Sequence, residues 1–135
     1  MSVNYTYWDA EFKEDFDSVL AFWREVSAGD ELSYLPKQSL QLKTAVRGEN
    51  GQILAAIKYI GEVRVSAGRD PINFENDVHS RTVIDLSAKY EIDETQQVYA
   101  VVDKLLDEEY VATKHHIGIQ VGKPPTVQVG YRYQF

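Results

Sequence analysis

Polar and apolar side chains alternate along several stretches of this sequence with a period of two residues. Between Thr82 and Ile92 the even-numbered positions are mostly apolar and the odd-numbered positions mostly polar. The stretches from Leu40 to Arg47 and from Thr126 to Phe135 show the same alternation. A period of two is that of a β-strand whose two faces meet different surroundings. The pattern therefore predicts strands with one apolar and one polar face.

Three further stretches are prone to form strands. Gln52 to Ile60 and Gln97 to Leu105 are rich in β-branched and aromatic residues but less cleanly sided, and Val3 to Phe12 is strongly aromatic. The segment from Asp17 to Ala28 can form a short helix. The six predicted strands span residues 3–12, 38–47, 52–62, 81–92, 96–105 and 125–135.

The connections between the predicted strands alternate in length. Turns at residues 48–51 and 93–95 have hairpin length and composition, whereas the connections 13–37, 63–80 and 106–124 are long. An up-and-down course places all the long connections at one end. Membrane β-barrels show this asymmetry, and their tilted strands need about 9–11 residues. We therefore predict an all-β fold, an antiparallel up-and-down meander of about six long strands.

Membrane barrels also carry aromatic belts at their two interfaces. In the predicted course, aromatic residues fall toward both ends of the strands. Tyr34 and Tyr59 are expected at the long-loop end, and Tyr90, Tyr99, Tyr133 and Phe135 at the short-turn end.

Composition narrows the classes of function. The 135 residues include no Cys, which excludes thiolate metal sites, and 14 basic against 21 acidic residues give a net charge of -7. This acidic balance argues against nucleic-acid binding. No apolar run of helical membrane-span length and no signal peptide occur, which at face value suggests a soluble protein. Hydropathy detects membrane helices, however, and gives only a weak signal for membrane β-strands.

Catalytic chemistry is not evident. His115 and His116 are adjacent, so in an extended chain they point apart, and with His79 they are the only histidines. Acidic pairs lie at turns without a neighbouring base or nucleophile. No phosphate-binding glycine loop occurs either. We therefore expect no enzyme activity, no metal site and no cofactor.

Three local motifs are more specific. The segment that begins at Asp103 contains the pattern "N-L-F-D-x-x-Y" in Leu105, Leu106, Asp107 and Tyr110, with Lys104 in place of Asn and Leu106 in place of Phe. Residues 122–130 follow "G-x-P-R-x-x-x-x-G", with Pro125 in place of Arg. The chain ends in a polar-x-Gly-x-x-aromatic-x-aromatic pattern formed by Gln128, Gly130, Tyr133 and Phe135.

In this order and spacing, the motifs resemble the C-terminal strands of TonB-dependent outer-membrane receptors, and among the subtypes they look most like receptors of the ferric-dicitrate or siderophore type. The resemblance implies that residues 1–135 are a C-terminal fragment of a 22-stranded transmembrane β-barrel, without plug domain or signal peptide. Such a receptor takes up an iron chelate, a siderophore or ferric citrate, or a similar nutrient. The fragment alone is not expected to transport anything.

The resemblance also implies partners and a location. The terminal pattern is the insertion signal read by the barrel assembly machinery, so the chain is expected in the outer membrane of a Gram-negative bacterium, in contact with lipid. The full-length parent would bind its plug, TonB and an iron chelate. The residues expected to face plug and lumen are Gln41, Lys43, Arg47, Lys58, Asp85, Lys89, Gln128 and Arg132, whereas Ile84, Leu86, Ala88 and Tyr90 are expected to face lipid.

Two further expectations concern the chain by itself. Six strands cannot close a barrel, and although self-association is conceivable, open strand edges favour aggregation. The alternative function is that of a small soluble β-barrel or sandwich that binds a ligand or partner through its long loops. Eight acidic residues lie between Asp9 and Glu31 and are expected to repel free anionic chelates unless basic groups from other loops dominate.

Overall fold

A computed structural model describes residues 1–19, 25–73, 75, 77–106, 111–115 and 118–135. These residues form strands and connections and contain no helix. None of the described chain is therefore a helix able to cross a membrane. The strands are β1 (Ser2–Tyr7), β2 (Phe16–Asp17), β3 (Glu25–Val26), β4 (Gln38–Arg47), β5 (Gly51–Ile60), β6 (Arg81–Glu91), β7 (Gln96–Asp103), β8 (Val111–His115), β9 (Gly118–Val121) and β10 (Thr126–Tyr133).

The six long strands form one sheet in the order β1-β4-β5-β6-β7-β10, and every neighbouring pair is antiparallel. Each long strand thus lies beside the next one along the chain. Tight turns join β4 to β5 and β6 to β7, and the three long connections share the opposite end of the sheet. The predicted all-β meander is confirmed.

Five of the six predicted strands end earlier in the structure than the sequence suggested, by one to five residues, and the first and the last strand are examples. β1 was expected to extend to residue 12 but ends at Tyr7; the Trp8 N–H still donates to the carbonyl of Lys37 over 2.8 Å, and the chain then leaves the sheet. The last strand was expected to reach Phe135 but ends at Tyr133, although the Gln134 N–H donates to the carbonyl of Thr95 over 2.8 Å.

The end of β7 has a specific cause. Lys104 follows the strand with a φ of 59°, in the left-handed region that breaks an extended chain. Its N–H donates to the Asp85 carboxylate over 3.0 Å, and the Leu105 N–H donates to the carbonyl of Ile84 over 2.8 Å. Asn tolerates this conformation better than Lys, so the motif's usual Asn at this position has a conformational reason.

Two of the predicted loops contain short hairpins. β2 pairs with β3 through Asp17 opposite Glu25, within the segment from Asp17 to Ala28 where a helix was considered. Its described residues therefore favour a hairpin over that helix. In the last long connection β8 pairs with β9, with a register shift between Val111 and Thr113. The long connections are thus partly built from local strands.

The sheet separates two kinds of side chain. Because directly opposed residues share a face in antiparallel strands, the observed register defines both faces. The apolar face carries Val3, Tyr5, Tyr7, Leu40, Leu42, Thr44, Val46, Ile53, Ala55, Ile57, Tyr59, Thr82, Ile84, Leu86, Ala88, Tyr90, Val98, Ala100, Val102, Val127, Val129, Tyr131 and Tyr133, and at the ends of strands Gln38, Gly51 and Gln96. No second layer of described residues covers this face, and Val129 remains 78% exposed.

Buried side chains lie outside the sheet. Among the described residues, the hydrophobic side chains that are buried are Val26, Val63, Val65 and Val78, all within the two first long connections. Val63 and Val78 pair through reciprocal backbone hydrogen bonds of 3.0 and 2.9 Å. Tyr34 and Ile60 pack against this small core. The loops therefore have an interior of their own.

Tyr99 does not belong to the predicted aromatic belt at the short-turn end. It lies directly opposite Gly130, on the polar face of the sheet. Its ring covers Gly130 so closely that a Cβ at that position would lie 2.6 Å from the Tyr99 Cε1. An aromatic ring laid over a glycine on the neighbouring strand fixes register and replaces the missing side chain. Gly130 is therefore a packing requirement of Tyr99.

We predict that Gly130→Ala destabilises the sheet by about 1–3 kcal/mol, because the methyl group overlaps the ring. In a Tyr99→Ala background, Gly130→Ala should lower the free energy of unfolding by much less. A double-mutant cycle from urea unfolding in detergent measures the difference. Equal costs of Gly130→Ala in both backgrounds would show that the ring does not set this requirement.

Candidate functional site

The polar face of the sheet is the first candidate surface. The eight residues predicted to face plug and lumen, from Gln41 to Arg132, share this face according to the observed register. The basic residues of this face are Lys43, Arg47, Lys58, Arg81, Lys89 and Arg132, and the acidic residues are Asp85, Glu91 and Asp103. Six positive against three negative charges leave an excess of three positive charges, although the whole chain carries -7.

Contacts within this face are local. The Lys89 ammonium lies 3.2 Å from a Glu91 carboxylate oxygen, and the Arg47 guanidinium donates to the Gln52 side chain over 3.3 Å. Exposed pairs of this kind contribute little stability. The face is thus rich in hydrogen-bond donors, which suits a partner surface that is acidic or rich in carbonyl oxygens.

The long-loop end is the second candidate surface, and an ion pair joins its two described loops. The Arg69 guanidinium lies 3.2 Å from an Asp30 carboxylate oxygen and donates to the carbonyl of Ala28 over 2.8 Å. The second Asp30 oxygen accepts the Ser27 N–H over 2.8 Å. We call Asp30 and Arg69 the loop clasp.

A second group of charges lies beside the loop clasp. Glu31 forms an ion pair of 2.7 Å with Lys37 and a longer one of 3.6 Å with Arg64. Its N–H donates across to the carbonyl of Gly68 over 3.1 Å, and the Tyr34 N–H donates to the carbonyl of Arg64 over 2.8 Å. Backbone and side chains therefore both hold the first loop against the second.

The electrostatics of these groups follow from the contacts. The Ser27 N–H, together with the Arg69 guanidinium, holds the pKa of Asp30 below its usual value. The hydrogen bond to Glu31 raises the pKa of Lys37. Both shifts favour the charged forms, so the loop contacts are ionic at neutral pH.

Asp77 shapes the second loop from inside. This buried side chain accepts the Val65 N–H over 2.9 Å with one oxygen and the Asn73 N–H over 2.8 Å with the other. A buried carboxylate is tolerated where backbone donors satisfy it. Asp77 therefore ties the two branches of the loop together beside Val78.

Two of the eight acidic residues between Asp9 and Glu31 have basic partners in the structure. Asp30 and Glu31 are compensated by Arg69, Arg64 and Lys37. Sequence reasoning missed these pairs because the clasp residues lie 39 positions apart. Only the register of the sheet brings their loops together.

The motif residues lie in separate places. Asp103 closes β7, Leu105 and Leu106 are about half exposed beyond it, and Asp107 and Tyr110 lie outside the described residues. The residues predicted as an insertion signal lie in different places: Gln128 and Gly130 belong to the polar face and Tyr133 to the apolar face, whereas Phe135 is exposed beyond the end of β10. Their proposed roles stay predictions.

The two described histidines lie in different long connections. His79 is exposed, His115 belongs to β8, and His116 lies outside the described residues. Within the part of the chain that the structure describes, no group of three or more His, Cys, Asp or Glu side chains is arranged to hold a metal ion.

Comparison with known proteins identifies the fold. No family model and no curated protein matches the sequence. The structure is similar to that of the closed form of Fiu, the ferric-catecholate import receptor of Escherichia coli K12, with a TM-score of 0.65 and 20% sequence identity. This chain has the fold of a part of that receptor. The match covers 78% of this chain and 15% of the receptor chain, so the chain is much shorter than Fiu.

We predict that the loop clasp is insensitive to pH between 7 and 5 and opens in stronger acid. The pKa of Asp30 is lower in the folded than in the unfolded chain, so its contribution is present above the unfolded value, about 3.9, and is lost as the pH falls through the folded value. The opening of the loop clasp is measured by the hydrogen-exchange protection of the Glu31 amide as a function of pH.

At pH 6, Asp30→Asn should lower that protection about tenfold, equivalent to about 1.4 kcal/mol, because the charge-assisted bonds are lost. Asp9→Asn, which changes an acidic residue outside the clasp, is the matched control. Equal protection in both variants would show that the clasp does not hold the loops.

Proposed function

We propose that this chain is a wall segment of a TonB-dependent outer-membrane receptor that imports an iron chelate. The carrying observation is the apolar face, which runs without interruption across six antiparallel strands and is covered by no described residue. Soluble proteins rarely leave so large an apolar patch exposed. Lipid hydrocarbon covers such a face in a membrane barrel.

The height of the apolar face supports this proposal. Tyr59 lies opposite Thr82, and Tyr90 lies eight residues further along β6 on the same face. At about 3.3 Å per residue the two aromatic levels are about 26 Å apart along the strand, which is about 20 Å along the membrane normal at a strand tilt of about 40°. The apolar band of outer-membrane barrels is about 25 Å tall and is bordered by aromatic girdles. Tyr5 and Tyr131 continue the two levels on β1 and β10.

A soluble sandwich that binds through its loops is the rival function. It requires a second sheet packed about 10 Å from the first. The described residues provide no such sheet, and their buried side chains lie in the loops instead. The arrangement of the two faces therefore favours the membrane wall over the sandwich.

The polar face then belongs to the lumen, where its excess of positive charge suits a plug domain that presents acidic groups and carbonyl oxygens. The long loops lie outside the cell, and the two tight turns lie in the periplasm. The similarity to an import receptor for a ferric catecholate and the three motifs near the C-terminus support an iron chelate as the cargo. TonB and the plug would act in the whole receptor.

The membrane placement is tested with neighbouring residues on opposite faces. In a background with Trp8 and Trp23 changed to Phe, single tryptophans are introduced as Leu86→Trp on the apolar face or Ser87→Trp on the polar face. We expect acyl-chain-brominated lipid to quench the fluorescence of Leu86→Trp and to leave that of Ser87→Trp largely unchanged.

Equal quenching at the two positions would contradict the assignment of faces. A cooperative thermal unfolding transition without detergent, combined with no quenching at either position, would support the soluble sandwich and overturn the membrane proposal.

The import activity is tested in cells. We expect deletion of the reading frame that contains this chain to abolish growth on one ferric chelate as sole iron source. The wild-type frame and a Gln134→Ala frame should restore growth. Phe135→Ala should restore it poorly, with less receptor in the outer membrane, because the terminal aromatic residue belongs to the proposed insertion signal. Normal growth of the deletion strain on every chelate tested would overturn import.

A further inference from the structure

The apolar face contains a depression near its short-turn end. Ile53, Ala88, Ala100 and Val129 are directly opposed on the neighbouring strands β5, β6, β7 and β10. The two alanines have the smallest side chains of this row and lie in its middle. A cavity of about 510 Å³ lies over them, which is within the size range of small-molecule sites. We call this space the apolar depression.

The ring of Tyr90 borders the apolar depression toward the short turns without filling it. Tyr90 lies opposite Gly51 on β5 and Val98 on β7. A Cβ at Gly51 would lie 3.3 Å from the Tyr90 Cδ2, so the ring takes the place of a side chain at this glycine. The space over the two alanines therefore stays open.

The apolar depression does not depend on the edges of the sheet. Ala88 and Ala100 belong to β6 and β7, which have neighbouring strands on both sides. A strand that pairs with β1 or β10 in a larger barrel would lie beside the sheet and not over these alanines. The space is thus left for a molecule that lies against the outside of the wall.

Lipid acyl chains lie against this face in the proposed membrane placement, on which the inference rests. Atoms that line an empty space lose their dispersion contacts. An acyl chain that enters the apolar depression therefore gains more contacts than one that lies on the flatter remainder of the face. Because the depression is near the short turns, this acyl chain belongs to a lipid of the periplasmic leaflet.

The tight turns beside the apolar depression are acidic. The two turns contain no basic residue, and their acidic residues are Glu49, Asp93 and Glu94. Glu49 lies between Gly48 and Gly51, which both line the depression. A headgroup at the end of the bound acyl chain would therefore meet carboxylates.

Basic residues at this end of the sheet lie on the other face. Arg47, Lys89 and Arg132 belong to the polar face, and the sheet separates them from the apolar depression. Hydrogen bonds from Thr95 hold the pKa of Asp93 below its usual value, so this carboxylate is charged at neutral pH. The turns therefore attract an ammonium group and repel an anionic headgroup.

We propose that the apolar depression and the two acidic turns bind a phospholipid with an ammonium headgroup, such as phosphatidylethanolamine. One acyl chain lies over Ala88 and Ala100, and the ammonium group lies near Glu49 and Glu94 at the membrane surface. The acyl chain determines where the lipid binds, and the headgroup determines which lipid binds.

The test uses the receptor encoded by the whole reading frame that contains this chain, reconstituted into vesicles. The probe is a phospholipid with a diazirine in one acyl chain, prepared as phosphatidylethanolamine or as phosphatidylglycerol with the same chains. Labelled peptides are quantified by mass spectrometry after irradiation. We expect the ethanolamine probe to label the β7 peptide around Ala100 about threefold more than the glycerol probe, because the acidic turns repel the anionic headgroup. Both probes should label other lipid-facing peptides equally.

Two outcomes separate this inference from the membrane placement. Equal labelling around Ala100 by the two probes, with the rest of the apolar face also labelled, would overturn the lipid site and leave the membrane placement intact. Absence of labelling on every peptide of the apolar face would overturn both.

Filling the apolar depression tests its role. Ala88→Phe should lower the labelling around Ala100 by the ethanolamine probe about threefold, because the ring occupies the space of the acyl chain. Ala55→Phe is the matched control, since it makes the same change on the same face at a residue that does not line the depression. Equal labelling in the two variants would overturn the site.

Removing the carboxylates tests the headgroup. Glu49→Gln combined with Glu94→Gln should make the two probes label the β7 peptide about equally. Glu11→Gln combined with Glu14→Gln removes the same charge from the first long loop and should keep the preference. An unchanged preference in the first pair would overturn the headgroup assignment. If Ala88→Phe fails to assemble, the comparison of the two probes on the wild-type receptor still decides.

Discussion

The rest of the structure depends on the need to cover one large apolar face. Six antiparallel strands align their alternating residues so that apolar side chains accumulate on one side only, and no described element packs against that side. Free energy gained by burying apolar area is the main source of stability in proteins. This sheet gains it only when something outside the described chain, lipid in our proposal, removes the face from water.

The loops are stabilised by interactions of a different kind from those of the sheet. Beyond the ends of the strands they meet water, and there a small core around Val78 is combined with ionic contacts such as Asp30 with Arg69. Asp77 satisfies two backbone donors inside the same region. Two loops that come from separate hairpins are thus held together independently of the sheet's surroundings. Their contacts need no membrane.

The strands could be predicted from the sequence because their pattern is local. The period of two assigned the sides of residues such as Leu86 and Lys89, and the tight turns set their neighbours. The positions where strands end were predicted less well, because they depend on contacts from other strands, as Asp85 does for Lys104. The loop clasp was not predicted, since its residues are far apart in sequence.

The side of the sheet on which Tyr99 lies follows from the local alternation of the sequence. Its odd number places it with Gln97 and Asp103 on the polar face, so alternation alone assigned its side. Its predicted place in an aromatic belt depended only on its position along the strand. What alternation could not supply is the reason for the aromatic ring, because Gly130 comes next to it only through the register of β7 with β10.

Charged residues are distributed unequally between the polar face of the sheet and the loops at its end. The net charge of -7 is a property of the whole chain, whereas the polar face carries an excess of three positive charges and the segment from Asp9 to Glu31 carries eight of the 21 acidic residues. A partner in contact with one side of a sheet experiences mainly the charges of that side, because salt screens the more distant ones over about 10 Å. The polar face therefore favours an acidic partner and the first loop a basic one. The net charge of the whole chain predicts neither preference.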